Sequence, residues 1–367
     1  MVMSEGARHG GRSRSWRTVR ALLLSGCLLA SVGLVHSSAS PNAQGPPPRG
    51  TLEMTGDIGD FIPGVVDDPV HDPAVIRDGD TYYVFSTGIL RNPGDPGGIF
   101  VRRSTGTLAG PWESLDEIAV PEWTREYGHN HLWAPQVVKR GNTFYLYYAA
   151  SSFGRNTSAV GVASTTTPGD LDSWQDHGPV VTSQQGVHDY NAIDPHVFTA
   201  GGRWWIAFGS HWTGVKLQEL ASMTEPTGPV YSLADRGVPP NAVEAPTIFK
   251  RGRYYYLLTS WDRCCAGTDS TYKVAVGRSL DVTGPYLDRD GVPLLEGGGT
   301  VVLESHADQI GPGGQDVILD RGIHYLIHHY YDAGADGVIR MQVRSIDWQD
   351  GWPSFDLEQR RGASTGR

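Results

Sequence analysis

From Thr51 onward, short apolar runs alternate with polar turns, and one run-and-turn unit keeps returning. Its first copy reads Asp72-Pro73-Ala74-Val75-Ile76, then the polar turn Arg77-Asp78-Gly79, then Thr81-Tyr82-Tyr83-Val84-Phe85-Ser86. The second places Ala134-Pro135-Gln136-Val137-Val138 before Gly141 and Phe144-Tyr145-Leu146-Tyr147-Tyr148. The third runs from Asp194-Pro195-His196-Val197-Phe198 to Trp204-Trp205-Ile206-Ala207-Phe208, and the fourth from Ala245-Pro246-Thr247-Ile248-Phe249 to Tyr254-Tyr255-Tyr256-Leu257-Leu258. A fifth, degraded copy extends from Gly311 through Val317 to His324–His329. Each copy predicts a hairpin. Its proline starts a strand, where a missing N–H costs nothing, and its glycine supplies the turn. No stretch carries a helical period, and 92–98 and 262–270 read as loops. Copies recur roughly every 50–70 residues, enough for one four-stranded sheet each, so the units are expected to close radially. The fold class predicted is all-β, a five-bladed β-propeller with any active site on the central axis.

Composition agrees with many short strands: 47 Gly, 24 Pro, 16 Tyr and 11 Trp, with only 19% of residues charged. A formal net charge of −10 excludes the basic stripe of a nucleic-acid binder but suits a neutral polysaccharide. The first residues differ from the rest. Arg12, Arg14, Arg17 and Arg20 precede an apolar run from Ala21 to Val35, and small residues follow. This is the layout of a secretory signal peptide, so residues 1–44 are assigned to signal and short linker and 45–367 to the propeller. A secreted, extracellular protein is expected. Leu24-Ser25-Gly26-Cys27 also resembles a lipoprotein box, which would give a lipid-anchored cell-surface form through Cys27. Beyond it only Cys264 and Cys265 remain, adjacent and therefore either a vicinal disulfide or two free thiols.

The innermost strand of each blade lines the axis, so the residues around each repeated proline should converge there. They offer Asp72, Asp194 and, one position further back, Glu244, with Trp133 in the second copy. Crowded carboxylates repel, which raises at least one pKa and leaves an acid beside an ionised base. Glycoside hydrolysis needs that pair, and the third carboxylate would tune the acid. A single Asp-Pro is ordinarily just a turn or strand start, but three acids at equivalent places of a repeat point to chemistry. Trp133, Phe153 and Trp212 are candidates for stacking on sugars, whereas Trp204 and Trp205 fit the core better. Asn156-Thr157-Ser158 matches a glycosylation sequon.

At these residues the sequence resembles glycoside hydrolase family 43, and within it the endo-1,5-α-L-arabinanases. The matching segments include His71-Asp72-Pro73, Leu132-Trp133-Ala134-Pro135, Ser151-Ser152-Phe153-Gly154, Asn191-Ala192-Ile193-Asp194-Pro195, Gly209-Ser210-His211-Trp212, Val243-Glu244-Ala245-Pro246 and Cys264-Cys265 followed by Ser270-Thr271-Tyr272. The resemblance implies Asp72 as general base, Glu244 as general acid and Asp194 as the residue that tunes and orients the acid. It implies sugar contacts from Trp133, Phe153, Gly154, Asn191, Ala192, Ile193, Gly209, Ser210 and His211. Two departures stand out. Gln136 occupies a position where the family more often has aspartate, and Gly314-Gln315 stand where many arabinanases have a histidine that helps hold an axial calcium. No cofactor is required for the chemistry, a structural calcium is allowed for, and its ligands stay unassigned.

The function expected is therefore inverting, endo-acting hydrolysis of arabinan. The same three carboxylates would serve an exo-acting arabinofuranosidase or β-xylosidase, with the loops at the channel mouth deciding. A non-catalytic sugar-binding propeller would need no axial acid–base pair and would repeat its site in every blade. The partner expected is arabinan or another arabinose-containing wall polysaccharide. No protein partner is implied, and a monomer is expected.

Overall fold

The middle strands of the repeat are apolar on both faces because both faces are covered. In a computed structural model of the chain, which describes residues 51–53, 69–89, 96–128, 131–355 and 357, the strands form five four-stranded antiparallel sheets. The first blade comprises Ala74–Asp78, Thr81–Ser86, Ile99–Thr105 and Glu113–Ile118. The second comprises Leu132–Arg140, Thr143–Ala150, Ser158–Thr165 and Gln175–Ser183. His196–Ala200 to Glu225–Ala234 make the third, and Val243–Arg251 to Thr300–Leu303 the fourth. In the fifth, Gln309–Asp320, Ile323–Asp332 and Val338–Ser345 are completed by Thr51–Glu53, from the other end of the chain, with Thr51 opposite Arg344. That borrowed strand closes the ring. The fold is the five-bladed β-propeller that the repeat predicted. The leader and Cys27 lie outside the described residues, as does part of the 92–98 loop.

Five apolar clusters pack the blade junctions. Successive residues of one strand serve different junctions, as the two-residue side-chain period of a strand requires. Tyr148 packs with Phe85 between the first two blades, while Tyr147 packs with Ile206 between the second and third. Leu257 joins Trp205 on one side of the fourth blade, and Tyr256 and Leu258 join Leu326 on the other. Val84 and Tyr325 belong to the junction of first and fifth blades. A strand buried on both faces loses its apolar–polar alternation, which is why these segments read as continuous apolar runs. Each fully buried Leu, Val or Phe contributes about 1.5–3 kcal/mol. Trp205 is 1% exposed, which confirms its assignment to the core.

Close to the axis, polar side chains knit the inner strands into a ring. Gln136 accepts from the Val197 N–H, His196 bonds the Ile248 carbonyl, Thr247 donates to the Gln315 carbonyl, and Asp316 accepts from the Val75 N–H. Each bond therefore joins a blade to its successor. The Gln136 departure noted in the sequence becomes one member of this ring.

Candidate active site

All five inner strands start from one backbone device. Asp72, Ala134, Asp194, Ala245 and Gly314 occupy the left-handed region, with φ of 50°, 41°, 56°, 49° and 54°. Four of them precede a proline, a position that normally favours extended backbone. Such conformations cost about 1–3 kcal/mol each for non-glycine residues and persist only where the surroundings enforce them. Here the enforcement comes from the preceding blade. The Asp72 N–H donates to His329 Nδ1 at 3.1 Å, Ala134 to Thr87 Oγ1 at 2.9 Å, Ala245 to Asp194 Oδ2 at 3.0 Å and Gly314 to Ser260 Oγ at 3.0 Å. The kink turns the side chains of Asp72 and Asp194 to the axis. Glu244 instead stands one residue before its kink, where the register of its strand slips between Glu244 and Thr247. This explains the offset of the third carboxylate in the sequence.

The three carboxylates sit at the bottom of a cleft of about 1400 Å³. Their environments differ. Asp72 Oδ2 accepts from His71 Nδ1 at 2.7 Å and from Thr87 Oγ1 at 2.6 Å. Burial alone would raise its pKa, but the charge and hydrogen bond of His71, with help from His329 and Thr87, bring it down to about 2. Asp72 is an ionised carboxylate across the working range. Asp194 is the opposite case: burial, then the neighbouring charges of Glu244 and Asp72, holds it well above the usual carboxylate range despite the Ala245 N–H. Glu244 is gripped at both oxygens, by Tyr272 Oη on Oε1 and Ser210 Oγ on Oε2, each at 2.6 Å. A hydroxyl donates to a carboxylate and accepts from a carboxylic acid, so both contacts survive loss of a proton. The Tyr272 phenol stays protonated because burial, followed by the three carboxylates, raises its pKa well above the usual value.

Among the expected sugar contacts, Trp133, Phe153, Gly154, Asn191, Ile193, Ser210 and His211 line the cleft. Phe153 is 74% exposed and leans on Trp133, with ring centroids 5.0 Å apart, which leaves an aromatic face without cover. Two expectations are corrected. Ala192 has no exposed surface: it packs in the junction of the second and third blades while its N–H donates to Ser183. Gly209 stands off the cleft wall and serves packing, since a Cβ there would lie 2.5 Å from the Gly214 carbonyl. Asn156, of the sequon, is buried with its amide donating to the His188 and Tyr190 carbonyls, so it offers no acceptor for a glycan.

Several site residues were invisible as such in the sequence. Thr87, Tyr272, His329 and Tyr331 surround the carboxylates from other strands. Tyr272 stood within a motif that carried the resemblance, and His71 adjoined the Asp-Pro, but nothing assigned them a role. The adjacent cysteines form a disulfide and line the cleft beside His71. Gly314 proves obligatory, because a Cβ would collide with Asp72 Oδ1 and approach His329 Nδ1 to 2.7 Å. A histidine has no room there.

Comparison with known proteins finds relatives over most of the chain. The profile of the glycosyl hydrolases family 43 matches residues 64–353. An extracellular endo-α-(1→5)-L-arabinanase of Bacillus subtilis is 37% identical over 353 residues, covering 94% of this chain and 99% of its own. An extracellular exo-α-(1→5)-L-arabinofuranosidase of Cellvibrio japonicus is 36% identical over 79% of this chain and 87% of its own. An arabinanase of Cellvibrio cellulosa, solved in complex with arabinohexaose, is 36% identical with a TM-score of 0.71, over 79% of this chain and 96% of that one. With a profile match spanning the blades and relatives of this identity and coverage, the chain belongs to glycosyl hydrolases family 43.

Proposed function

We propose that the protein is an endo-acting arabinanase that hydrolyses internal α-1,5-L-arabinofuranosyl linkages with inversion at the anomeric carbon. The observation that carries this reading is the opposed treatment of the carboxylates. Asp72 is kept ionised by His71 and Thr87, while Asp194 and Glu244 crowd one another on the far side of the axis. In the reaction, Asp72 takes a proton from water as the water attacks the anomeric carbon. Glu244, its rotamer fixed by Ser210 and Tyr272, protonates the departing oxygen. Asp194 and Glu244 crowd one another, and the repulsion between two carboxylates keeps one proton on the pair beside the departing oxygen. Oδ2 of Asp72 is taken by two donors, which leaves one oxygen for water.

The substrate class follows from the cleft and the relatives. At about 1400 Å³ it exceeds the ~300–1,000 Å³ of a pocket for one small molecule and suits a chain of sugars. The exposed Phe153 face and Trp133 give stacking surface. The Bacillus and Cellvibrio arabinanases support arabinan as the polymer, and the description of the Bacillus arabinanase and the Cellvibrio japonicus arabinofuranosidase as extracellular supports export of this chain. Proton NMR should show the β anomer first from an α linkage, and linear arabinan should lose viscosity before arabinose accumulates. An initial α product would refute inversion, and arabinose as the sole early product would move the protein to the exo class.

The chemistry needs no metal step. A cavity of about 30 Å³ on the axis beside the carboxylates, with Gln136, Thr247 and Asp316 among its lining residues, would suit a hard cation. Burial pushes Asp316 up to about 6, and a calcium ion held there with its waters would supply compensating charge. Gly314 offers it no side chain.

Gly314 also gives a direct test of how closely the base must be placed. Gly314→Ala should lower kcat by about 100-fold with little change in KM, because the added methyl displaces Asp72 without touching the sugar contacts. Steady-state kinetics on an aryl arabinoside would check it, and a rate within twofold of the parent would show that the base tolerates the shift.

A further inference from the structure

The disulfide between Cys264 and Cys265 lies against the machinery of the base. The Cys265 N–H donates to Tyr331 Oη at 3.1 Å, Tyr331 Oη lies 3.2 Å from His71 Nε2, and His71 Nδ1 lies 2.7 Å from Asp72 Oδ2. The first link has a fixed direction, since a backbone N–H can only donate. Burial keeps the Tyr331 phenol protonated, its pKa pushed up to about 12, so its own proton is available to His71 Nε2. His71 Nδ1 donates to the ionised Asp72. The sulfurs close the same wall, with Cys264 Sγ 3.5 Å and Cys265 Sγ 3.9 Å from His71 Nε2.

We propose that the Cys264–Cys265 disulfide is a positioning element for the catalytic base, acting on Asp72 through Tyr331 and His71. The inference rests on the reading of Asp72 as the base. Cys265 sits at φ 60°, in the left-handed region that a non-glycine residue seldom adopts, and this conformation aims its N–H at Tyr331. The ring closed through the two sulfurs restricts that backbone. A dithiol would open it: two electrons and two protons pass to the S–S bond, giving two thiols and the oxidised, cyclic form of the reagent. The freed peptide can rotate away, Tyr331 keeps Ser270 but loses its backbone donor, and the hydroxyl that holds the His71 ring is no longer fixed in place.

The groups facing Asp72 are His71 beside it, Thr87 from the next strand, His329 and Tyr331 from the fifth blade, Tyr272 from the fourth and Asp194 across the axis. Of these, His71 and Tyr331 contact the disulfide directly. Reduction should therefore disturb the acid side of the pH profile and spare the alkaline side.

The test follows kcat/KM of the intact enzyme on an aryl arabinoside from about pH 1.5 to pH 8, before and after dithiol treatment. Circular dichroism establishes that the fold persists. The acid limb is expected to rise by about one pH unit on reduction, and equally in a Cys264→Ser, Cys265→Ser double variant. Tyr331→Phe should raise the limb in the oxidised enzyme, and reduction should then add nothing. A uniform loss at all pH values with the limb fixed, or a Tyr331→Phe enzyme still fully sensitive to dithiol, would overturn the proposal. If reduction unfolds the protein, the folded Cys264→Ser, Cys265→Ser double variant decides: an acid limb unchanged from the parent's overturns the proposal. Failure of the underlying reading looks different: an Asp72→Ala enzyme that retains activity removes Asp72 as base, whereas an inactive one with a redox-insensitive limb removes only the role of the disulfide.

Discussion

Asp72→Ala should abolish hydrolysis of arabinan and of aryl arabinosides alike, with kcat down by about 10³-fold or more. Both substrates need an activated water, and no neighbouring group can replace Asp72. Asp194 holds its proton too firmly to act as a base, with burial and the Glu244 charge both raising its pKa. The pH profile carries the same information. Asp72, lowered to about 2, keeps the base form as the pH falls, and activity that depends on it is lost only as the pH approaches that value. A parent enzyme whose acid limb lay near an ordinary carboxylate value would contradict the His71–Thr87 arrangement. An Asp72→Ala enzyme active on the aryl substrate would contradict the assignment itself.

Glu244→Ala should separate the two substrates. Arabinan has a poor leaving group, so loss of the acid should cost about 10²–10⁴-fold in kcat. An aryl arabinoside with an acidic phenol leaves without protonation and should stay within about tenfold of the parent. The sign of the pH effect follows from the raised proton affinity of Asp194 beside Glu244. Activity that depends on the proton held at Asp194 is present at low pH and is lost as the pH rises through that raised value. Removal of the Glu244 charge should lower that alkaline limb on the aryl substrate, because this charge is one of the causes that raise Asp194. Equal losses on both substrates would mean that Glu244 shapes the site rather than donating a proton.

Much of this protein was readable before its structure. The Asp-Pro and Ala-Pro strand starts, the glycine turns and the apolar runs sit within a few residues of one another, and each copy signals its hairpin locally. Repetition then implied the propeller, because a single four-stranded sheet cannot cover its own two apolar faces. The unequal residues at equivalent positions, Asp72, Asp194 and Glu244, marked the axis as a place of chemistry.

What surrounds those carboxylates was not readable, and Ala192 shows why. Its place inside the Asn-Ala-Ile-Asp motif suggested a sugar contact, but in the segment that leads into the third blade Ala192 faces the core while Ile193 reaches the cleft. Gly209 was misread for a related reason, since a glycine kept for close backbone packing looks in sequence like one kept for a ligand.

By itself the sequence determined the blades, the axis and the three acids, since these follow from local pattern and its repetition. Tertiary structure alone decided how differently the three are surrounded. Asp72 is held by His71, Thr87 and His329, Glu244 by Ser210 and Tyr272, and the ring is closed by Thr51–Glu53 pairing with the fifth blade. Asp72 meets His329 across 257 residues of chain, and Cys264 meets His71 across 193. Contacts at such separations arise when the blades close, leave no period in the sequence, and fix the proton affinities that divide the work among chemically similar carboxylates.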